Sequence, residues 1–359
     1  MAFNLNSYPV VYRAKFRDGA WHEEYLEKPH KTPAEEAALD DAAREELCAS
    51  RNLFSDMPLV NYTTQYALSC FEGLKALPQK SGGMAVFRPD QNGVRFARSM
   101  EGLYMPPYPA ELFVPAVLET VRRNAGLGFT MGYDASWEKD SFLNASSVYI
   151  RPFVHTEGGI GVNTSKSPWV VIICSPVTGY FKPGRSDAVI TERIRATPKG
   201  TGWIKTAANY VTSALAKHEA EEAGYVECVY LDAVERKYIE EGSSCNIFFV
   251  LKSGELVTPE LGDTILPGIT RASIIELAKG KGVTVLERKI SWEEVRSEVA
   301  ECFVSGTAAG ATPIQSLTYR GRKAVFSDNG ELTGWVRDTL KGIQYGALPD
   351  SKGWLSRVC

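Results

Sequence analysis

The sequence predicts a mixed α/β (α+β) protein of two domains. Three observations carry this. At 359 residues the chain is long enough to divide into two cores. Strand-like apolar runs alternate with helical periodicity through both halves. The segment 175–184, SPVTGYFKPG, sets prolines and glycines between a buried run and a fresh start of structure, as a linker does. The expected boundaries are 1–176 for a small N-terminal α/β domain, 177–185 for the linker and 186–359 for a large C-terminal domain.

Composition excludes several classes of function. Hydrophobic content of 44% and charged content of 23% are ordinary for a globular chain. A formal net charge of -3 offers no basic face to a nucleic acid. The apolar run Trp169–Cys174 is far too short to span a membrane, and the first fifteen or so residues lack the charge and apolar pattern of a signal peptide. The 7 cysteines (Cys48, Cys70, Cys174, Cys228, Cys245, Cys302 and Cys359) include no CxxC, so free thiols in a reducing, cytoplasmic setting are expected. The 4 histidines do not form HExxH, because His218 is followed by Glu219-Ala220-Glu221-Glu222; no metal site is expected.

The elements follow in chain order. Val10–Phe16 and Trp21–Leu26 read as a strand pair about the turn Asp18-Gly19. Ala34–Ala49 reads as one polar surface helix. Gly82-Gly83 turns into the strand Met84–Phe87, and Arg95–Leu103 and Phe113–Asn124 are helical, the second with Val114, Val117, Leu118 and Val121 on one face. Val148–Val154 is a strand in which Tyr149 and Arg151, two apart, share a face. A glycine-rich loop, His155–Ser167, precedes the buried strand Trp169–Cys174. Beyond the linker come a strand at Val189–Ala196, a helix at Asn209–Ala223 with Val211, Leu215 and His218 on one face, and a strand at Val226–Asp232. The helix Thr270–Lys279, the strand Val283–Lys289, the helix Ser291–Val299 and the strand Cys302–Ser305 complete the second half.

One stretch organises the rest: Glu241–Arg271, EGSSCNIFFVLKSGELVTPELGDTILPGITR. An acidic residue opens it at a turn of small residues. The strands Asn246–Leu251 and Glu255–Thr258 form a hairpin about Lys252-Ser253-Gly254, and Leu266–Arg271 leads into a helix. A carboxylate at one end and free helix N–H groups at the other suit a ligand with a cationic head and an anionic tail. A plain hairpin followed by a capped helix fits the local pattern equally well.

The order of the motifs decides between these readings. Glu241, Ser243, Asn246, Ile247 and Phe248, then Leu256 and Thr258, then Leu266, Gly268, Ile269 and Arg271 meet the spacing E-x-S-x-x-N-I-F, L-x-T, L-x-G-I-x-R. With Phe71–Lys75, Val148–Pro152, Lys205–Tyr210 and Ser305–Ala309 added, the sequence from about Tyr62 to Pro313 resembles the class IV (fold type IV) pyridoxal-phosphate aminotransferases. Within them it is most similar to the branched-chain amino-acid aminotransferases.

The resemblance implies a two-domain fold with pyridoxal 5'-phosphate at the domain interface. It implies amino transfer between L-leucine, L-isoleucine or L-valine and 2-oxoglutarate, and assembly as a homodimer. It makes Lys205, in the large domain, the catalytic lysine that joins the cofactor aldehyde and then moves the proton from Cα. Glu241 would face the pyridine nitrogen and Tyr210 the ring hydroxyl. Arg95, the N–H groups of Ile269 and Thr270, and Thr307 would hold the phosphate, and Ser244 would lie near the cofactor. The substrate α-carboxylate would meet Thr307 and Ala308, with help from Tyr149. Its side chain would lie among Tyr66, Phe71, Tyr149 and Tyr210, and a glutamate γ-carboxylate would reach Arg151. Ile160 and Val162 match a loop that closes a neighbouring subunit's pocket, and Tyr180 would close over the substrate.

Two rivals share the scaffold: a D-amino-acid aminotransferase or aminodeoxychorismate-lyase-like enzyme, and a catalytically silent cofactor binder. Tyr149-Ile150-Arg151 and Leu266–Arg271 weigh against the first; intact Lys205 and Glu241 weigh against the second. Two departures from the pattern stand out. Ala207 and Ala208 replace a glycine pair of many relatives, and Ala309 and Thr312 stand where some relatives carry a redox-active CxxC.

Overall fold

The computed structural model describes residues 5–178, 186–327 and 330–358. The chain divides into two compact units, Met1–Tyr180 with Gly342–Cys359, and Phe181–Lys341. Among the described residues no helix is long and apolar enough to cross a membrane.

The first unit is built on one antiparallel sheet. Its chain runs β1 (Val10–Arg17), β2 (Ala20–Glu27), α1 (Pro33–Ala37), α2 (Asp41–Arg51), α3 (Tyr62–Tyr66), β3 (Leu74–Pro78), β4 (Met84–Phe87), α4 (Pro89–Gly102), α5 (Ala110–Gly126), β5 (Ser147–His155) and β6 (Trp169–Val177). The second unit follows with β7 (Asp187–Ile190), α6 (Ala207–Glu222), β8 (Glu227–Leu231), β9 (Ile239–Gly242), β10 (Asn246–Leu251), β11 (Leu256–Thr258), α7 (Ile269–Gly280), β12 (Val285–Glu287), α8 (Trp292–Glu298), β13 (Val299–Gly306), β14 (Gly310–Pro313), β15 (Ser316–Tyr319), β16 (Arg322–Val325) and most of α9 (Glu331–Gln344), whose residues from Gly342 belong to the first unit. The last strand, β17 (Leu355–Arg357), belongs to the first unit, where the sheet order is β17-β4-β3-β5-β6-β1-β2.

In the first unit β5 shows why the site face exists. Val148, Ile150, Pro152 and Val154 are buried, while Tyr149, Arg151 and Phe153 between them are half-buried on the opposite face. α5 packs on β1 and β6, and Phe96 of α4 meets Phe113 of α5 with ring centroids 5.5 Å apart. The second unit holds two five-stranded sheets, β12-β11-β10-β13-β14 and β16-β15-β7-β8-β9. Ile190, Val229 and Ile239 from one sheet share a core with Ile247, Phe249 and Val304 from the other. The expected hairpin forms, with Phe249 opposite Val257.

Several expectations change. The helix read over Ala34–Ala49 is two, because Asp40 accepts from Ala43 N at 2.8 Å and caps a fresh start. α4 begins earlier than Arg95, at Pro89, where proline's missing N–H costs nothing. The strand read over Val189–Ala196 stops at Ile190. The face of α6 is reversed: Asn209, Ser213, Ala216 and Ala220 are buried, whereas Val211 and Leu215 are 59% and 48% exposed. Small residues allow close approach to β8, which periodicity of large apolar residues does not reveal. β6 runs on through Ser175, Pro176 and Val177, so strand occupies the start of the segment read as a linker. The segment 342–359, assigned from sequence to the C-terminal domain, pairs into the first sheet through Ser356 opposite Val86.

Candidate active site

In the second unit the loop from β7 to α6 carries Lys205, and α6 anchors that loop. Asn209 Nδ2 donates to Thr201 O at 2.8 Å and Ile204 O at 3.0 Å, and Asn209 Oδ1 accepts from Thr201 Oγ1 at 2.7 Å. Trp203 N donates to Asp263 O at 3.1 Å. Ile204 is buried, so the residue beside Lys205 is held by both apolar packing and hydrogen bonds. Lys205 is half-buried and its Nζ donates to Tyr210 Oη at 2.8 Å. Ala207 opens α6, and Ala208 is exposed.

Glu241 lies on β9 and is sealed. Arg195 Nη1 meets Glu241 Oε1 at 2.8 Å, with side-chain exposures of 4% and 3%. Leu266 N donates to Glu241 Oε1 at 3.0 Å and Asn246 Nδ2 donates to Oε2 at 3.1 Å. Arg195 is itself fixed by Thr264 O at 2.8 Å. Burial nevertheless outweighs these partners and pushes the Glu241 carboxyl up to about 7; Arg195, the Leu266 N–H and the Lys205 charge pull the other way. A buried carboxyl poised so high gains from one more cationic partner.

The same network ties Glu241 to the start of α7. Asn246 Nδ2 also donates to Leu266 O at 3.0 Å. A Cβ on Gly268 would overlap Asn246 Oδ1, so only glycine fits between that side chain and the helix start. Gly268 is the N-cap and offers no side-chain hydrogen bond, leaving the first-turn N–H groups of Ile269 and Thr270 as donors at the positive end of a helix. Thr307 and Ala308 sit in the turn between β13 and β14. Ser244 is exposed, and its carbonyl lies 3.8 Å from where a Gly306 Cβ would stand, so Ser244 and that turn are neighbours.

The first unit carries a second set. Arg95 on α4 is locked to Glu72, Nε to Oε1 at 2.7 Å and Nη2 to Oε2 at 2.8 Å. Asn92 Nδ2 adds a bond of 2.7 Å to Glu72 Oε2. On β5, Arg151 Nη2 donates to Tyr149 Oη at 2.7 Å, and its guanidinium lies 4.6 Å from the Phe71 ring centroid. Arg151 Nε is buried without a hydrogen-bond partner among the described residues. Gly73 makes room for this cluster, since a Cβ there would overlap the Tyr149 hydroxyl. Tyr66 is 43% exposed and its hydroxyl accepts from Gly161 N at 3.2 Å. Ile160 and Val162 are almost fully exposed in the single chain, and Tyr180 lies outside the described residues.

Within the second unit the structure therefore joins Lys205 to Tyr210, and Glu241 to the start of α7. Within the first it joins Phe71, Tyr149 and Arg151. Sequence reasoning missed the supporting residues: Arg195, Asn209 and Glu72, and the role of Asn246. Asn246 and Glu72 lie inside recognisable motifs, and Asn209 precedes Tyr210; that nearness was their only signal. Arg195 had none, because its partner Glu241 is distant in sequence. Asn246, the first residue of β10, thus ties the hairpin itself into the Glu241 network.

The residues present fit a phosphorylated pyridine cofactor. A sealed carboxyl that burial holds partly protonated despite Arg195, an amine held by a phenol and a helix start with no side-chain cap all lie in one unit. Comparison with known proteins agrees. Residues 69–317 match the amino-transferase class IV family. The probable branched-chain-amino-acid aminotransferase of Staphylococcus aureus (strain MRSA252) is 42% identical over 302 residues, covering 80% of each chain. The solved branched-chain aminotransferase from the thermophilic archaea Thermoproteus uzoniensis, with norvaline, has a TM-score of 0.74 at 28% identity, covering 98% of this chain and 100% of that one. A solved T.th. branched-chain amino acid aminotransferase complexed with N-(5'-phosphopyridoxyl)-L-glutamate has a TM-score of 0.70 at 28% identity, covering 85% of this chain and 94% of that one. With most of its length inside the family match, this chain belongs to the class IV aminotransferases.

Proposed function

We propose that the chain transfers amino groups reversibly between L-leucine, L-isoleucine or L-valine and 2-oxoglutarate, giving branched-chain 2-oxo acids and L-glutamate. Pyridoxal 5'-phosphate is the cofactor. The observation that carries this reading is the pairing of Lys205 Nζ with Tyr210 Oη in the unit that also seals Glu241. When bound, the cofactor supplies a carbonyl carbon that carries the amino group and a ring that accepts electrons, so the two half-reactions alternate.

The chain's own residues do the rest. Lys205 Nζ takes the proton leaving the substrate Cα, and Tyr210 Oη, which accepts from that amine, is assigned to the cofactor's ring hydroxyl. Glu241 would hold the ring nitrogen through a charge-assisted hydrogen bond, and Arg195 and Asn246 keep its carboxyl in place. The N–H groups of Ile269 and Thr270, the Thr307 side chain and the Arg95 guanidinium are assigned to the phosphate. Ser244 is assigned to the cofactor's surroundings.

The backbone N–H groups of Thr307 and Ala308, with Tyr149, are assigned to the substrate α-carboxylate. Phe71, Tyr66 and Tyr149 offer apolar surface to a branched side chain, and the unpartnered Nε supports Arg151 as the donor for a glutamate γ-carboxylate. We extend the proposal to a cytoplasmic homodimer in which Ile160 and Val162 reach a neighbouring copy and Tyr180 closes over the substrate. Light scattering of the purified protein tests the dimer. The proposed linker at 177–185, between the N-terminal part of the first unit and the second unit, is tested by limited proteolysis there.

The deciding assay sets L-leucine beside D-alanine with 2-oxoglutarate as acceptor. Turnover of L-leucine is expected; turnover of D-alanine alone rejects the proposal. Lys205→Ala is expected to lower kcat by about four orders of magnitude or more, the upper range for loss of a general acid–base group.

A further inference from the structure

A cavity of about 320 Å³ opens in the second unit on the other side of β9 from Glu241. Glu240 and Glu241 are consecutive on a strand, so their side chains leave opposite faces. Glu241 is taken by Arg195, Asn246 and Leu266, whereas Glu240 lines the cavity. Glu240 is only 8% exposed. Its Oε1 accepts from Thr264 Oγ1 at 2.5 Å, but its Oε2 is buried with no hydrogen-bond partner among the described residues. Leaving a buried carboxyl oxygen unsatisfied is costly, and the proposed transamination assigns Glu240 no role.

The remaining lining tells what would satisfy it. Asp232, Glu235 and Glu260 add acidic groups, against one lysine, Lys289. Lys289 is drawn to Glu235 at 3.8 Å and lies 5.0 Å from the Tyr238 ring centroid. Asp232 is occupied by the backbone N–H groups of Glu235, Lys237 and Tyr238. Arg195 and Arg236 act on Glu240 only at a distance and are bonded elsewhere, to Glu241 and to Glu192 with Thr191 O. Ile265, Pro259 and Leu261 give the cavity apolar walls. A negative, partly apolar cavity with a buried acceptor fits a cation that carries N–H donors on an apolar body.

We propose that this cavity is a second ligand site, separate from the catalytic one, that binds a small organic cation of the amidinium, guanidinium or ammonium type through Glu240. The charge on Glu240 helps hold the Glu241 carboxyl up, so a cation seated there offsets that influence and is felt at the catalytic carboxylate.

Titration calorimetry of the holoenzyme with benzamidine tests the site. Benzamidine presents an amidinium fork and an apolar ring. One saturable site per chain is expected, with affinity at least tenfold lower for neutral benzamide and at least tenfold lower in Glu240→Gln. Val234 lines the rim and is 74% exposed, so Val234→Trp fills the entrance without touching the core and is expected to weaken binding by a similar factor. It decides the matter if Glu240→Gln does not melt cooperatively. Absence of saturable binding overturns the proposal. So does equal affinity in wild type and both variants, or binding that L-leucine displaces and Glu240→Gln leaves alone. The binding is read without turnover, so its failure is distinct from failure of the transamination assay.

Discussion

Each unit buries one carboxylate–arginine pair that matters, and the two pairs are used in opposite senses. In the first unit Glu72 is fully hidden and holds Arg95, whose side chain keeps 10% exposure. In the second, Arg195 is hidden at 4% and holds Glu241. The carboxylate is the brace in one pair, and the arginine is the brace in the other. Both groups of each pair are desolvated, and the cost of burying two charges roughly cancels their attraction, so neither pair is a large net source of stability. Their value is positional: a polar side chain, fixed on two or more sides, presents its remaining capacity in one direction.

The largest effect is expected at Arg195. Above about pH 7, where Glu241 is ionised in the wild type, Arg195→Met removes its countercharge and is expected to cost up to about 3–5 kcal/mol in urea unfolding, with a smaller cost at acid pH where the carboxyl is already protonated. A cost near zero would mean that Asn246 and Leu266 suffice. The next effect is on pH dependence. Glu241 titrates near 7 when folded and near 4.5 when unfolded. The folded chain therefore holds a proton that the unfolded chain releases, so its contribution is full below about 4.5 and is lost as pH rises through about 7. Unfolding of cofactor-free wild type and Glu241→Gln, compared across that window, is expected to show a difference that changes by up to about 3 kcal/mol. A difference that stays flat would place the titration on another group.

Activity separates the two pairs again. Glu241→Gln is expected to lower kcat about 100-fold while the protein keeps bound cofactor, measured by absorbance of the released cofactor, in line with loss of one preorganised electrostatic contact. Arg95→Met is expected to do the reverse, weakening cofactor retention about tenfold with a smaller effect on kcat, because its proposed partner is the phosphate and not the reacting atoms. Tyr210→Phe is the smallest change, about tenfold in kcat, since it removes one hydrogen bond to Lys205 Nζ. If Arg95→Met proves the more damaging to kcat, the division between brace and working group is wrong.

How much of this was legible in the sequence differs by residue. Lys205, Tyr210 and Glu241 stood out because their spacing repeats a family pattern, and Tyr149 and Arg151 because strand alternation puts residues two apart on one face. The hairpin and the start of α7 were readable from glycine and proline punctuation. The exposed face of α6 was misread because a helix built on alanine, serine and asparagine buries the residues that hydropathy ranks lowest. β17 was missed because three residues, Leu355–Arg357, carry too little pattern to announce a strand; only its partner β4 makes it one.

The alternation of elements, the family and the chemical types in the site were all set at the level of the sequence, because these depend on local spacing and on residue identity. Which groups brace them was settled by tertiary folding alone. Arg195 reaches Glu241 from 46 positions away, and Glu72 reaches Arg95 from 23, by folds that bring separate elements together. Folding also separated the fates of Glu240 and Glu241, identical and adjacent in the chain. Strand alternation sends one carboxyl into a closed network and the other toward a cavity, with an oxygen that has no hydrogen-bond partner among the described residues.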